Sequence, residues 1–306
     1  MWSGGGAGTS SGGMRAGRGR HSDRISVYWL RPVRRLPDRD YDLCDNNDRG
    51  TFDMGCRPDR PGGFGDHVVV PHWKYLIRIP PNVAPSMACT LPCGALTAFH
   101  ALKDSTDAVT RAAKVSGTAR ILILGLGGLG TWCLQLARHV FHDVSLLIAA
   151  GDIRKEKAEL ASRLGADRFV HWKKDATVGD ISRAVTSDGK ELFDVVIDFV
   201  GNQSTNGAAF RSLKKGGSLV SVGLSGGEMK VPISWVVTRS IRVQGMKMGS
   251  IKMLKELLHL AATKDITPPP IRLFKLEEIN VALEKLQSGE LPGRAVIRHD
   301  IRGVDK

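Results

Sequence analysis

From residue 119 onward, short continuous apolar runs alternate with stretches whose apolar positions recur every three to four residues. "ARILILGLGG" (119–128) is apolar until it ends in glycines, which predicts a strand buried on both faces. "LGTWCLQLARHVF" follows with Trp132, Leu136 and Val140 at helical spacing, a stripe read as core. "VSLLIAA", "RFVHW", "LFDVVIDFVG", "SLVSVGL" and "SIRVQGMKMG" read as five further strands. Between them lie a charged amphipathic helix, "RKEKAELASRLG", stopped at Gly165, a helix over about 178–186, and a helix in "AAFRSLKKGG". Strands alternating with helices of this length predict βαβ units and a doubly wound parallel sheet of six strands, a Rossmann-type α/β fold.

The pattern changes on either side. "GGFGDHVVVPHWKYLIRIP" (62–80) reads as β structure with turns. After Gly249 come a helix, a Pro-rich link at 268–270, a short strand, the helix "LEEINVALEKLQSG" and a last strand, "RAVIRHD". The expected organisation is a disordered tail over 1–25, a partial β lobe over 26–90, the sheet domain over 91–249 and a return to the lobe over 250–306. No internal repeat is visible.

Composition narrows the function classes. Hydrophobic residues make up 42% and charged residues 25%, and no apolar run approaches the ~20 residues that span a bilayer. The net charge is +13, with eight Arg against three Asp in residues 1–40. No homeodomain, zinc-finger or RNP-like signature accompanies it, so the charge is read as a solvated basic surface and no nucleic-acid partner is expected. Five cysteines without a secretory signal point to a reducing compartment. The Gly- and Ser-rich first twenty residues are Arg-rich and acid-free, as transit peptides are. They lack the apolar face of a targeting helix, and a cytoplasmic location is expected ahead of mitochondrial import.

The clearest chemistry is at Gly125, Gly127 and Gly130, a G-x-G-x-x-G that follows a buried strand and opens a helix. In that setting the backbone turns tightly and a pyrophosphate reaches the helix N-terminus. Asp152, 22 residues beyond Gly130, ends the second strand, where a carboxylate meets the adenosine ribose and favours NAD over NADP. Asp152 also reads as a helix N-cap, and Arg154 and Lys157 beside it soften the preference by attracting a 2′-phosphate. Cys93, in "LPCGALTAFHALK", stands just before a helix, where a free cysteine most simply reads as a buried thiol. Cys89, four residues earlier, reads as a helix-packing cysteine and Cys133 as core.

Seven segments in this order resemble the medium-chain dehydrogenases, specifically the zinc-type alcohol dehydrogenases: "GGFGDHVVVP", "LPCGALTAFHALK", "ILILGLGGLGTWCLQLA", "IAAGDIRKEKAELASRLGAD", "VVIDFVG", "SVGLSGGEMKVPI" and "GELPGRAVI". The resemblance runs from about residue 62 to 300. It implies a GroES-like catalytic lobe around a nucleotide-binding domain, and hydride exchange between an alcohol or carbonyl substrate and nicotinamide, with a catalytic zinc as Lewis acid. Cys93 matches the third catalytic zinc ligand, and Thr97 the residue packed on the nicotinamide. Gly128 and Leu129 belong to the dinucleotide turn. Phe199, Val200 and Gly201, with Val222, Gly223 and Leu224, match strand ends lining the nicotinamide pocket, and Arg294 matches a basic residue reaching the pyrophosphate. The family's dimerisation implies a homodimer through the sheet edge.

The chain also departs from the pattern. The other two catalytic ligands, a Cys and a Gly-His-Glu histidine, have no counterpart upstream, and one thiolate does not hold a catalytic zinc. Of the family's structural zinc loop only Cys44 remains, with Leu30, Val33 and Leu36 at the other three positions. Each of these precedes Arg or Pro, so a one-nucleotide shift of suitable codons restores cysteine. A shifted frame over residues 29–40 and ordinary divergence are both open. A dinucleotide-binding protein without catalysis and a zinc-free, quinone-reductase-like enzyme are the alternative functions.

Overall fold

The computed structural model describes residues 25–27, 64 and 73–299. At the start, β1 (Ile25–Val27) pairs antiparallel with β2 (Leu76–Arg78). The short helix α1 (Pro85–Ala88) and a π-turn over Leu91–Ala95 lead into α2 (Leu96–Asp104) and α3 (Thr106–Ser116). The sheet domain follows as β3 (Ala119–Leu124), α4 (Gly128–Val140), β4 (Leu146–Asp152), α5 (Ala158–Arg163), β5 (Arg168–His171), α6 (Val178–Val185), β6 (Phe193–Asp198), α7 (Gln203–Arg211), β7 (Leu213–Ser221), α8 (Ile233–Arg239) and β8 (Arg242–Gly245). The chain ends in α9 (Ile251–Thr263), β9 (Ile271–Lys275), α10 (Ile279–Gln287) and β10 (Arg294–Arg298), with β9 and β10 forming a separate parallel pair.

All neighbours in the six-stranded sheet are parallel, in the order β5-β4-β3-β6-β7-β8. Chain order reverses between β3 and β6, which opens a crevice at the carboxyl ends of those strands. Alternation along β3 sends Ile121 and Ile123 to one face and Leu122 and Leu124 to the other. The first face packs on α2, α4 and α9 through Phe99, Trp132, Leu136 and Leu257. The second packs on α6 and α7 through Ile181, Val185 and Phe210. Each fully buried Leu or Ile contributes roughly 1.5–3 kcal/mol, so this double-sided burial explains why the strands read as continuous apolar runs.

Local signals set the helix ends. Thr177 and Asp180 form a reciprocal capping box on α6, and Asn202 and Thr205 form another on α7. Ser250 caps α9. Gly165, at φ +98°, follows α5 as expected.

Four expectations are corrected. The helix expected in "AAFRSLKKGG" lies earlier, over Gln203–Arg211, and Leu213 already pairs with Phe193 in the sheet. The helix stops where the Ser212 hydroxyl turns back onto the Ala208 carbonyl (2.7 Å). The strand expected over 240–249 is only β8, because Met248 leaves the sheet: its N–H bonds the Thr97 hydroxyl (3.1 Å), and its carbonyl bonds His100 Nδ1 (2.9 Å). Cys89 is exposed, not packed in a helix interface, since α1 ends there and its thiol donates to the Ser86 carbonyl. Cys93 is also exposed, whereas Cys133 is buried as expected. Among the described residues, no helix is long and apolar enough to cross a membrane.

Candidate dinucleotide site

A cavity of about 570 Å³ opens at the carboxyl ends of β3, β4 and β6, at the point where strand order reverses. The glycine turn forms its floor. Gly125 has φ +87°, and a β-carbon on Gly130 would overlap the Gly125 carbonyl oxygen, so helix α4 packs directly on the end of β3. A β-carbon on Gly127 would meet nothing within 4 Å, which leaves its backbone open to a ligand. No side chain caps α4, so its first N–H groups face the cavity without a side-chain acceptor.

Arg294 comes from β10, more than 160 residues away in sequence. Its guanidinium rests against the Cα positions of Gly94 and Gly128, and a β-carbon at either glycine would collide with it. Among the described residues no acceptor pairs with this guanidinium, so a fixed cation and a helix N-terminus meet at one point.

Asp152 ends β4 and is buried at 6% exposure. Its Oδ2 accepts from the Leu126 N–H (2.8 Å) and from Lys157 Nζ (2.8 Å), and its Oδ1 accepts from the Arg154 N–H (3.0 Å). The N-cap expectation is therefore corrected. Asp152 closes a turn onto Arg154 and anchors the glycine loop, while Lys157 stands at the N-cap of α5 without a side-chain cap bond. Arg154, Lys157 and Lys174 all line the cavity.

Asp198, at the end of β6, is fully buried. Its Oδ1 accepts from the N–H groups of Val200 and Gly201, and its Oδ2 from the Thr205 hydroxyl (2.7 Å). Burial raises its pKa above the usual carboxylate value, with these hydrogen bonds opposing the shift. This network shapes the turn that carries Phe199 and Val200 into the cavity wall. Gly201 and Gly223 touch where the loops leaving β6 and β7 meet. Val222 is buried, and Leu224 is 94% exposed.

Thr97, buried on α2, donates its hydroxyl to the Cys93 carbonyl (2.8 Å) and accepts from Met248 N–H. Among the described residues, no three His, Cys, Asp or Glu side chains converge as a metal-binding group. Cys44 lies outside the described residues, as do Leu30, Val33, Leu36 and the possible frame shift over 29–40. The described residues therefore fit a dinucleotide but do not assemble zinc ligands around Cys93.

Sequence reading missed further lining residues: Trp172 and Ile181, and Leu286, Gly289 and Leu291 from the C-terminal segment. "GELPGRAVI" was legible as a motif, but nothing in it indicated that Gly289 lies against the Arg154 guanidinium.

Comparison with known proteins adds the family. A family model described as zinc-binding dehydrogenase matches residues 128–263. An alcohol dehydrogenase of Geobacillus stearothermophilus is 31% identical over 90% of this chain and 75% of its own length. An NAD-dependent alcohol dehydrogenase of Sulfolobus acidocaldarius is 31% identical over 78% of this chain, which spans only 64% of that relative's length. The crystal structure of the alcohol dehydrogenase from Aeropyrum pernix superposes with a TM-score of 0.65 and 31% identity, covering 78% of this chain and 65% of that one.

Proposed function

The chain belongs to the zinc-type medium-chain alcohol dehydrogenase family, and on that premise we propose that it is a nicotinamide-dinucleotide-dependent oxidoreductase acting on an alcohol or carbonyl substrate. The observation that carries this reading is the junction of the uncapped α4 N-terminus, the open Gly127 and the Arg294 guanidinium over Gly128. A pyrophosphate fits that junction, held by the N–H groups of Gly128 and Leu129 and by Arg294. Asp152 stands at the adenosine ribose through the free capacity of Oδ1, and Trp172 and Ile181 offer an apolar wall to the base. Thr97, Phe199–Gly201 and Val222–Leu224 flank the nicotinamide half. When bound, the nicotinamide supplies the hydride acceptor or donor.

The chain's own residues position and shield. Thr97 locks the start of α2 against Met248, and Asp198 holds the loop that carries Phe199 and Val200. Zinc is a property of the family, and Cys93 would contribute one ligand. Among the described residues no group of three His, Cys, Asp or Glu side chains forms around that thiol.

The edge position of β8 in the sheet, with Val243 half-exposed on it, supports a homodimer through the sheet edge. A cytoplasmic location completes the reading. The test is titration of the full chain with NADH, followed by nicotinamide absorbance assays over a panel of primary, secondary and aromatic alcohols. NADH binding with turnover of any alcohol supports the proposal, binding without turnover leaves a dinucleotide-binding protein, and no binding removes both.

A further inference from the structure

A second cavity, of about 370 Å³, lies between α3 and the amino ends of β6 and β7, at the end of the sheet opposite the dinucleotide cavity. An irregularity in the sheet builds it. Phe193 pairs with Leu213 and Val195 with Ser218, so Asp194 alone on β6 faces four residues of β7, Lys214 to Gly217. The surplus residues leave the ladder and re-aim their side chains, as bulges do. Glycine permits the curl: Gly216 has φ +75°, and a β-carbon on Gly217 would crowd the Lys214 carbonyl oxygen. Two consecutive lysines are thereby turned to the cavity lining.

The charges there do not cancel. Asp194 Oδ2 accepts from Lys214 Nζ (2.9 Å) and from the Arg120 N–H (2.8 Å), and the ion pair is mostly covered, at side-chain exposures of 28% for Lys214 and 14% for Asp194. That pair is neutral as a unit. Arg111, from α3, donates Nη2 to the Gly216 carbonyl (3.2 Å), which ties its guanidinium to the bulge. Arg111 and Lys215 both line the cavity, and neither forms an ion pair among the described residues. Two cations are therefore in excess, one of them anchored. Ala108, Ala112 and Val115, spaced along one face of α3, supply an apolar wall beside them.

We propose that this cavity binds a phosphate dianion, carried by inorganic phosphate or by a compact phosphate monoester, with Arg111 and Lys215 as its receiving cations. Two unpaired positive charges match a dianion, and a guanidinium fork matches phosphate oxygens. The alanine and valine wall suits the carbon body of an ester, and the volume lies at the small end of the range for ligand sites. The site stands apart from the dinucleotide reading: Asp194 and Asp198 are four residues apart on β6, about 13 Å along the strand.

The experiment is calorimetric titration of the full chain, at fixed ionic strength, with inorganic phosphate, with glycerol 3-phosphate, and with glycerol as the neutral control. The expected result is saturable binding of the two phosphates, with a dissociation constant below about 2 mM, and none of glycerol. Arg111→Ala and Lys215→Ala should each weaken it about 5- to 20-fold, the scale of one charge-assisted contact, and leave NADH binding unchanged. Added NADH and Arg294→Ala should have no effect on it. Tighter binding of glycerol 3-phosphate supports an ester as the ligand, and equal affinity supports free phosphate. Binding weaker than about 2 mM, in a chain with an intact cooperative melt, overturns the proposal. So does an affinity unchanged in both Arg111→Ala and Lys215→Ala. Binding lost in Arg294→Ala or on adding NADH also overturns it, because the anion then belongs to the pyrophosphate junction.

Discussion

Gly130 lies so close to Gly125 that a β-carbon on the one would overlap the carbonyl oxygen of the other. The contact joins helix α4 to the end of β3 and fixes the angle at which the helix N-terminus faces the cavity. Gly130→Ala must move backbone, not a flexible side chain. It is expected to cost about 1–3 kcal/mol of stability and to abolish NADH binding even where the chain still folds. Urea melts and NADH titration of the same preparation check both effects.

Arg294 contributes its charge at the same point from the far end of the chain. Arg294→Ala is expected to weaken NADH binding roughly 10- to 100-fold, the scale of a lost charge-assisted hydrogen bond. Its guanidinium has no acceptor among the described residues, so the melting temperature should change little. A large loss of stability with unchanged NADH affinity would contradict its placement at the pyrophosphate.

Thr97 bridges two elements with one hydroxyl, donating to the Cys93 carbonyl and accepting from Met248 N–H. Thr97→Val keeps the shape but leaves that N–H unpaired, at an expected cost of about 1–3 kcal/mol. Thr97→Ser should retain most of the stability. Denaturant unfolding of the three proteins separates the hydrogen bond from the packing of the methyl group.

Asp198 predicts a pH effect of definite sign. Burial raises its folded-state pKa above the unfolded one, so the folded protein holds this proton more tightly. Its contribution to stability is therefore greatest below the unfolded value, about pH 4, and falls as pH rises through the folded value. Asp198→Asn keeps an oxygen for the Val200 and Gly201 N–H groups and removes the titration. The stability of the parent minus that of Asp198→Asn should decline as pH rises from about 4 and then level off. A flat difference from pH 4 to 7 in denaturant melts would contradict the assignment.

The edge of the sheet offers a test of assembly. Sedimentation should find a dimer, and Val243→Glu should convert it to a monomer by placing charge on the exposed face of β8. An unaltered dimer in that variant would place the interface elsewhere.

Much of the architecture was legible because double-sided burial leaves a strong mark. The runs at 119–128 and 192–201 have few polar residues, as strands buried on both faces of a parallel sheet require. The G-x-G-x-x-G turn was legible because its position between strand and helix is local. The end of α7 was not, since "RSLKKGG" suits either state and the choice fell to Leu213, which pairs with Phe193 on the neighbouring strand. The extent of β8 was likewise decided by Thr97 and His100, which draw Met248 onto α2.

The sequence by itself determined the α/β class, the six sheet strands, the glycine turn and the acid at position 152, because each depends on neighbours within a few residues or on the average environment of a strand. Only the tertiary structure decided that Arg294 rests on Gly128, that Gly289 holds Arg154, and that Lys157 pairs with the Asp152 carboxylate. The first two contacts join segments more than a hundred residues apart. The third depends on a side-chain direction that spacing along the chain does not specify. Charge at a site is a sum over whatever the fold brings within a few ångströms, and that sum exists only once the chain has closed.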